Sequence, residues 1–486
     1  MKKYIFLISA ISAFTLSSCR KIETDGEKEV IVITQPGGNT PTAQTITLQG
    51  RINADTVLRK ANTYILKGIV YLVGNHTMTI EAGTVIKGSF AGTDVAALVI
   101  TRGSKINAQG TAAEPIVFTS ASPNPQSGDW GGLVLCGKAA INTSFNGNAG
   151  LFQVEGGIDN AHGDGLAGSG DAVATAPVND DNSGILSYVR IEYAGYAFQP
   201  DKEINSLTMA CVGSGTQIDH IQVTYAKDDA YEWFGGTVNA KFLIAYKTQD
   251  DDFDTDNGFS GKIQFGLVMR DSLIADISTS EAFESDNNSS GTTAQPKTSP
   301  VFSNITVLGP RATSNNIGNS LFRAGAQIRR NSSLSIFNSI FSGWPQGILI
   351  DAGTGSSTAL NIEDSSLRIR NVTFAGNTIN LKFTGTPGAT IINDASLQTW
   401  ASNPFYNNDF LSSIAEAKLI QPFNYAMPDP TPFAGSNGNV KILNGGGFTD
   451  PKFNNDTFFD KTVTFRGGIA PAGEYATWWK GWAKFN

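Results

Sequence analysis

The sequence predicts an all-β fold, a single-stranded parallel β-helix, and three observations carry that prediction. Short runs of alternating apolar and polar residues recur from Ile46 to about residue 395, punctuated by Gly, Asn and Asp, with no convincing helical period among them. Several of these runs repeat one another at spacings of 21 to 34 residues. The composition suits many short strands joined by tight turns, because 52 Gly supply positive-φ positions and 29 Phe fill a core. With only 16% charged residues, the chain lacks the low hydrophobicity and high net charge of a disordered one.

Residues 1–18 read as a lipoprotein signal peptide. Lys2 and Lys3 form a basic start, and Tyr4 to Phe14 form an apolar stretch too short to remain as a membrane span. Leu16-Ser17-Ser18-Cys19 resembles a lipobox, which assigns Cys19 as the lipidation site. Glu23, Asp25, Glu27 and Glu29 follow at once and resemble the surface-export signal of Bacteroidota lipoproteins. Residues 19–45, which include Gln35-Pro36-Gly37-Gly38, have no apolar period and form a flexible tether. Loss of residues 1–18 leaves 33 basic against 43 acidic residues, a net charge of −10. Such a surface argues against nucleic acid or anionic lipid as partner. Cys136 and Cys211 have apolar neighbours and read as small core residues, with a single bridge between them as the alternative.

The repeats define the body, residues 46–400. Asn304-Ile305-Thr306-Val307-Leu308-Gly309 returns as Asn338-Ser339-Ile340-Phe341-Ser342-Gly343 after 34 residues, and as Asn371-Val372-Thr373-Phe374-Ala375-Gly376 after 33 more. Val189-Arg190-Ile191-Glu192-Tyr193 aligns with Ile221 to Tyr225, then with Phe242 to Tyr246 after 21 residues, then with Phe265, Leu267 and Met269 after 23. One copy cannot bury its own apolar face, whereas stacked copies form a continuous core. Strand-type repeats of this length select a parallel β-helix over helical solenoids and over propellers. The repeated Asn fits a coil corner, where an amide tolerates left-handed backbone.

Met78-Thr79-Ile80-Glu81-Ala82-Gly83-Thr84-Val85-Ile86-Lys87-Gly88, Glu114-Pro115-Ile116-Val117-Phe118 and Trp130-Gly131-Gly132-Leu133 resemble the first coils of pectin-lyase-like right-handed β-helix proteins. With Tyr188-Val189-Arg190-Ile191-Glu192-Tyr193 and Phe283-Glu284-Ser285-Asp286-Asn287, most of residues 45–486 resembles a family of Bacteroidota outer-membrane lipoproteins of unsettled activity. The resemblance implies a right-handed solenoid, lipid-anchored in the outer membrane and facing the cell surface, beside an uptake or assembly complex. Residues 401–486 lose the repeat and end in Trp478-Trp479-Lys480-Gly481-Trp482. They read as the last coils and a Trp-rich cap over the terminal edge.

Chemistry concentrates in residues 228–286. Asp250, Asp252, Asp254 and Asp256 alternate, so an extended backbone projects them to one side. A spacing of 22 relates Asp229 to Asp251, and Glu232 to Asp254 and Asp276. Equivalent residues of a β-helix stack about 4.8 Å apart, and carboxylates so stacked repel one another or recruit a cation. Asp229, Glu232, Asp250, Asp251, Asp252, Asp254, Asp256 and Asp276 are therefore candidate ligands for Ca²⁺, the ion suited to loose all-oxygen sites, with Glu284 and Asp286 as further binding residues. An EF-hand is excluded because the glycine of Asp252-Phe253-Asp254-Thr255-Asp256-Asn257-Gly258 falls one place late and position twelve is Ile263. The competing account is solvated turn carboxylates paired with Lys227, Lys241, Lys247 or Arg270.

Three functions are compatible with these features. A glycan- or partner-binding envelope protein needs no more than this face; a purely structural or adhesive envelope protein is a separate alternative. A Ca²⁺-dependent polysaccharide lyase or a glycoside hydrolase needs in addition a base or an acid–base pair, for which Asp228, Asp229, Asp251, Lys247 and Arg270 are the candidates. The Gly-His-Gly element of polygalacturonases is missing, and His76, His162 and His220 lie in other contexts, so binding is the favoured reading. His220, beside Asp219 at the start of a strand, reads as a stacked surface residue.

Overall fold

The computed structural model describes residues 43–90, 92–156, 158, 161–170, 176–199, 202–311, 318–424 and 427–485. Residues 1–18, expected to be a signal peptide, Cys19, and most of residues 19–45, expected to be a tether, lie outside them. Among the described residues, 27 strands join one hydrogen-bonded system, and its strand pairings are parallel. Each coil contributes to three sheets. In the first sheet, inward residues stack as Leu58, Ile80, Ala108, Leu186, Ile218, Ala240, Ile263, Phe302, Ile336 and Ile369. The second stacks Ile86, Phe118, Ile191, Val223, Ala245, Val268, Val307, Phe341, Phe374 and Phe410. The third stacks Val70, Leu98, Leu133, Leu207, Tyr231, Phe253 and Phe283. These columns are buried, so one apolar seam runs the length of the solenoid.

Strands of the first sheet turn into the second through a single residue in left-handed conformation. Tyr188, His220, Phe242 and Phe265 occupy that corner, followed by Asn304, Asn338, Asn371 and Asn407, with φ from 49° to 66°. Left-handed backbone costs a side chain with a Cβ roughly 1–2 kcal/mol. The aromatic members offset it by ring stacking, with centroids 4.2, 4.4 and 5.0 Å apart. The asparagines offset it by an amide ladder, Asn371 Nδ2 donating to Asn338 Oδ1 and Asn407 Nδ2 to Asn371 Oδ1, both at 3.0 Å. His220 is thus a stacked residue, as its sequence context suggests.

The repeat alignment needs one correction. Ile221 pairs with Leu243 and Thr224 with Tyr246, a spacing of 22 where the sequence alignment used 21. A one-residue slip reverses every side chain, and the apolar run of Phe242 to Tyr246 hides it because Phe242 is the corner residue and both neighbouring registers look apolar.

Among the described residues, three short α-helices interrupt or follow the coils: α1 (Ala359–Glu363), α2 (Asp394–Ala401) and α3 (Val440–Asn444). Leu397 and Ala401 of α2 join the main core, so α2 closes the last coil. The final rung, Asp409–Leu411, lies past residue 400. The tryptophans sit elsewhere than on the terminal edge. From Gly445 the tail runs back along the corner: Gly447 N donates to Asn338 Oδ1 (2.8 Å), Asn304 Nδ2 to Phe465 O (2.9 Å), and Lys484 N to Gln222 Oε1 (2.8 Å). Trp478 packs on Phe242 and Trp482 meets Tyr188 and His220 edge-on. The tail is a strap along a flank, because that corner offers ring faces and asparagine amides that bond the tail's backbone, whereas the end is already covered.

A carboxylate strip on the third sheet

The third sheet's outer face changes character along the solenoid. At Val99 and Val134 it is covered by the excursion between Cys136 and Gly184, which packs Ile141, Val154, Ile158 and Ala167 over it. Beyond that cover the outward column reads Thr208, Glu232, Asp254, Glu284 and Gln327. The bend entering each strand supplies a second column. Asp229 N donates to Asn205 Oδ1 (3.1 Å), Asp251 N to Asp229 Oδ1 (2.9 Å), and Glu281 N to Asp251 Oδ1 (2.7 Å). Each bend carboxylate is therefore held by the next coil's backbone, which fixes its position and leaves its second oxygen for other partners.

Asp228 and Asp250 lie one residue earlier, joined by Asp276: Gln249 Nε2 donates to Asp276 Oδ1 (3.0 Å), and Ser278 Oγ bonds Asp250 Oδ2 (3.0 Å) and Asp276 Oδ2 (2.8 Å). At the far margin Asp286 accepts from Arg329 Nε (2.9 Å) and Arg330 Nη1 (2.6 Å), and Arg329 also pairs with Glu284. Arg323 stands 3.9 Å from Glu281. Three overlapping trios, Asp228/Asp229/Asp250, Asp229/Glu232/Asp254 and Asp251/Asp254/Glu284, each place one oxygen per residue within 4.8 Å of the others.

Burial is the first cause of the upward pKa shifts of Asp228, Asp229, Glu232, Asp250, Asp251, Asp254, Asp256, Glu281 and Glu284, and neighbouring carboxylates add to it. Glu281 rises to about 8, and Asp250 and Glu284 to about 7. Asp228, Asp229, Glu232, Asp251, Asp254 and Asp256 stand well above the ordinary carboxylate range. In Asp256, Asp286 contributes after burial; in Glu284 the Arg329 guanidinium opposes the rise. Inside the strip, Asp254 Oδ1 and the hydroxyl of Thr208, a residue only 1% exposed and one rung from Glu232, have no hydrogen-bond partner. A set of hard oxygens this close, with orphaned oxygens among them, fits a divalent cation of the Ca²⁺ type.

The structure brings together Asp228, Asp229, Glu232, Asp250, Asp251, Asp254, Asp256, Asp276, Glu284 and Asp286. It separates two others. Asp252 does not share a side with Asp250 and Asp254; it points inward, where Asp252 Oδ2 lies 3.1 Å from Arg270 Nη1 and both residues are 0% exposed. The alternation rule assumed an extended chain, but the strand proper begins at Phe253, after a bend. Arg270 is consumed by that pair and by the carbonyl of Gln249 (3.2 Å). Lys247 is turned to Tyr225, whose hydroxyl accepts its proton at 3.2 Å, and to Asp271 at 3.6 Å. The rung above Asp254 is Glu284, not Asp276, because the coil between them carries the extra loop of residues 270–279. Sequence reasoning missed Asn205 and Thr208, although a spacing of 24 to Asp229 and Glu232 marks both as one coil earlier. It also missed Arg323, Arg329 and Arg330, which no repeat singles out.

Fold and site together define an all-β solenoid with a strip of buried, closely stacked carboxylates on one lateral face. The family model for a pectate-lyase-like beta helix domain matches residues 50–409, and the chain belongs to that family. No curated protein matches it.

Proposed function

We propose that the protein is a binding module whose carboxylate strip takes up a divalent cation, Ca²⁺ by its donor set, and through it holds an oxygen-rich ligand, a glycan or a partner's acidic surface. The observation that carries this reading is the run of three carboxylate trios, each within 4.8 Å, with the Thr208 hydroxyl and Asp254 Oδ1 unpartnered beside them. Asp229, Glu232, Asp251, Asp254 and Glu284 would hold the ion, which supplies positive charge and open coordination positions to the ligand. Asn205 orients the set by donating to Glu232 and accepting from Asp229. The signal-like N-terminus supports a station at the outer membrane, anchored through Cys19 and facing outward.

A lyase or hydrolase is the second reading, supported by the family. Against it, the nominated cations Lys247 and Arg270 are directed to other partners. Within each trio the carboxylate oxygens lie within 4.8 Å, below the roughly 6.5–9.5 Å that accommodates the water of an inverting glycosidase, which counts against that mechanism alone. Calorimetric titration of the EDTA-treated protein with Ca²⁺, followed by a glycan panel with and without the ion, tests the proposal. Saturable Ca²⁺ uptake lost in Asp254→Asn, with glycan retention only in its presence, is the expected outcome. Absence of Ca²⁺ uptake at millimolar ion overturns the cation site, and release of saccharide products overturns the binding-only reading.

A further inference from the structure

Cys136 ends the third-sheet strand Leu133–Cys136, and its rung partner in the next coil is Ala210. Cys211 follows Ala210 directly and takes left-handed backbone, φ 54°. Adjacent rungs lie about 4.8 Å apart and successive residues rise about 3.3 Å, so the diagonal from Cys136 to Cys211 spans roughly 6 Å between Cα atoms. That is the commonest separation in disulfides, about 5.5–6 Å. The backbone confirms the closeness: Gly137 N donates to Ala210 O and Ala139 N to Cys211 O, both at 2.8 Å, and a Cβ on Gly137 would meet the Cys211 carbonyl. Both side chains are free thiols in this structure and belong to one apolar cluster on the outer side of the sheet, beneath the excursion that starts at residue 137, and both are 0% exposed.

We infer that Cys136 and Cys211 are a disulfide-forming pair that staples neighbouring coils and closes a loop of residues 137–210, the excursion included. The reaction is two-step exchange with an external disulfide. The thiolate of one cysteine displaces one thiol from a small-molecule disulfide; the second cysteine then attacks the mixed disulfide. Two protein thiols become one S–S bond, and one disulfide becomes two thiols. Burial pushes the Cys136 thiol to about 12 and that of Cys211 well above its ordinary value. The native dithiol is therefore inert, and the bond forms while the coils close during folding. This inference is independent of the cation site.

The full chain, unfolded in denaturant and refolded with glutathione disulfide, tests it by thiol counting and peptide mapping. The chain has three cysteines, so one titratable thiol, a mass about 2 Da below the reduced form and a Cys136–Cys211 linked peptide are expected. The closed loop should raise the melting temperature on the order of 5 °C over the same protein kept in reductant. Three titrating thiols, separate glutathione adducts on the two residues, or a bridge involving Cys19 overturn it. Cys211→Ala should abolish the difference between oxidised and reduced protein; should that variant not fold, the linked peptide of the unaltered chain still decides.

Discussion

Two columns of this solenoid stack like residues on like, with opposite results. Along the corner, Asn371 donates to Asn338 and Asn407 to Asn371, and Tyr188, His220, Phe242 and Phe265 share ring faces. Along the third sheet, Glu232, Asp254 and Glu284 stack in the same parallel register and repel. An amide carries both donor and acceptor and a ring two usable faces, so repetition satisfies them; a carboxylate carries acceptors only, so repetition leaves its lone pairs facing one another. The strap then covers the satisfied column, while the unsatisfied one stays open at the edge of the excursion. Register multiplies whatever chemistry the rung carries, and only the acidic rung calls for something from outside the chain.

The largest expected effect tests Asp252, the carboxylate that is turned into the core against Arg270. Arg270→Met leaves Asp252 buried and uncompensated and should destabilise by about 3–5 kcal/mol in urea unfolding. The double change Arg270→Met with Asp252→Asn should recover most of that loss, and no recovery would show that the ion pair is not the cause. Next, Asn338→Ala removes the acceptor of Asn371 and Gly447 and the donor to Ser303, at a cost of about 3 kcal/mol. Glu232→Gln in the other column should be neutral or stabilising without a cation. Equal losses in the two variants would erase the contrast between the columns.

The pH response follows from the shifts. Asp250, Glu284 and Glu281 titrate in the folded protein at about 7, 7 and 8, far above unfolded carboxylates near 4. Between those limits the folded state binds more protons than the unfolded one, so stability falls as pH rises from about 4 to 8. EDTA-treated protein should melt lower at pH 8 than at pH 5. Saturating Ca²⁺ should reverse this, adding about 2.7 kcal/mol at one hundred times its dissociation constant. A melting temperature indifferent to both pH and Ca²⁺ would falsify the strip as a cation site. Smallest is Lys247→Met, which loses a partly exposed pair with Asp271 worth about 0–1 kcal/mol and should leave Ca²⁺ uptake unchanged.

Much of this was legible beforehand, and the misses share a cause. The 34- and 33-residue spacings of Asn304, Asn338 and Asn371 match the observed rungs because each copy has the same strand and corner. The spacing of 22 links Asp229 to Asp251 and Glu232 to Asp254 for the same reason. It fails at Asp276, where a loop inserts into the coil, and alternation fails at Asp252, where the chain bends inward. Periodicity reads strands well and bends poorly.

By itself the sequence determined the solenoid, its apolar seam, the asparagine corner and the placing of an acidic patch near residues 228–286. Those properties depend on spacing along the chain, and a parallel β-helix converts spacing directly into adjacency. Tertiary structure alone decided which carboxylates share the strip, that Arg270 neutralises Asp252, that Arg329 and Arg330 bound the strip, and that the tryptophans strap a flank. Coil lengths vary from rung to rung, and the excursion and tail return to distant coils, so these contacts follow from the closed ladder and the surfaces it leaves uncovered.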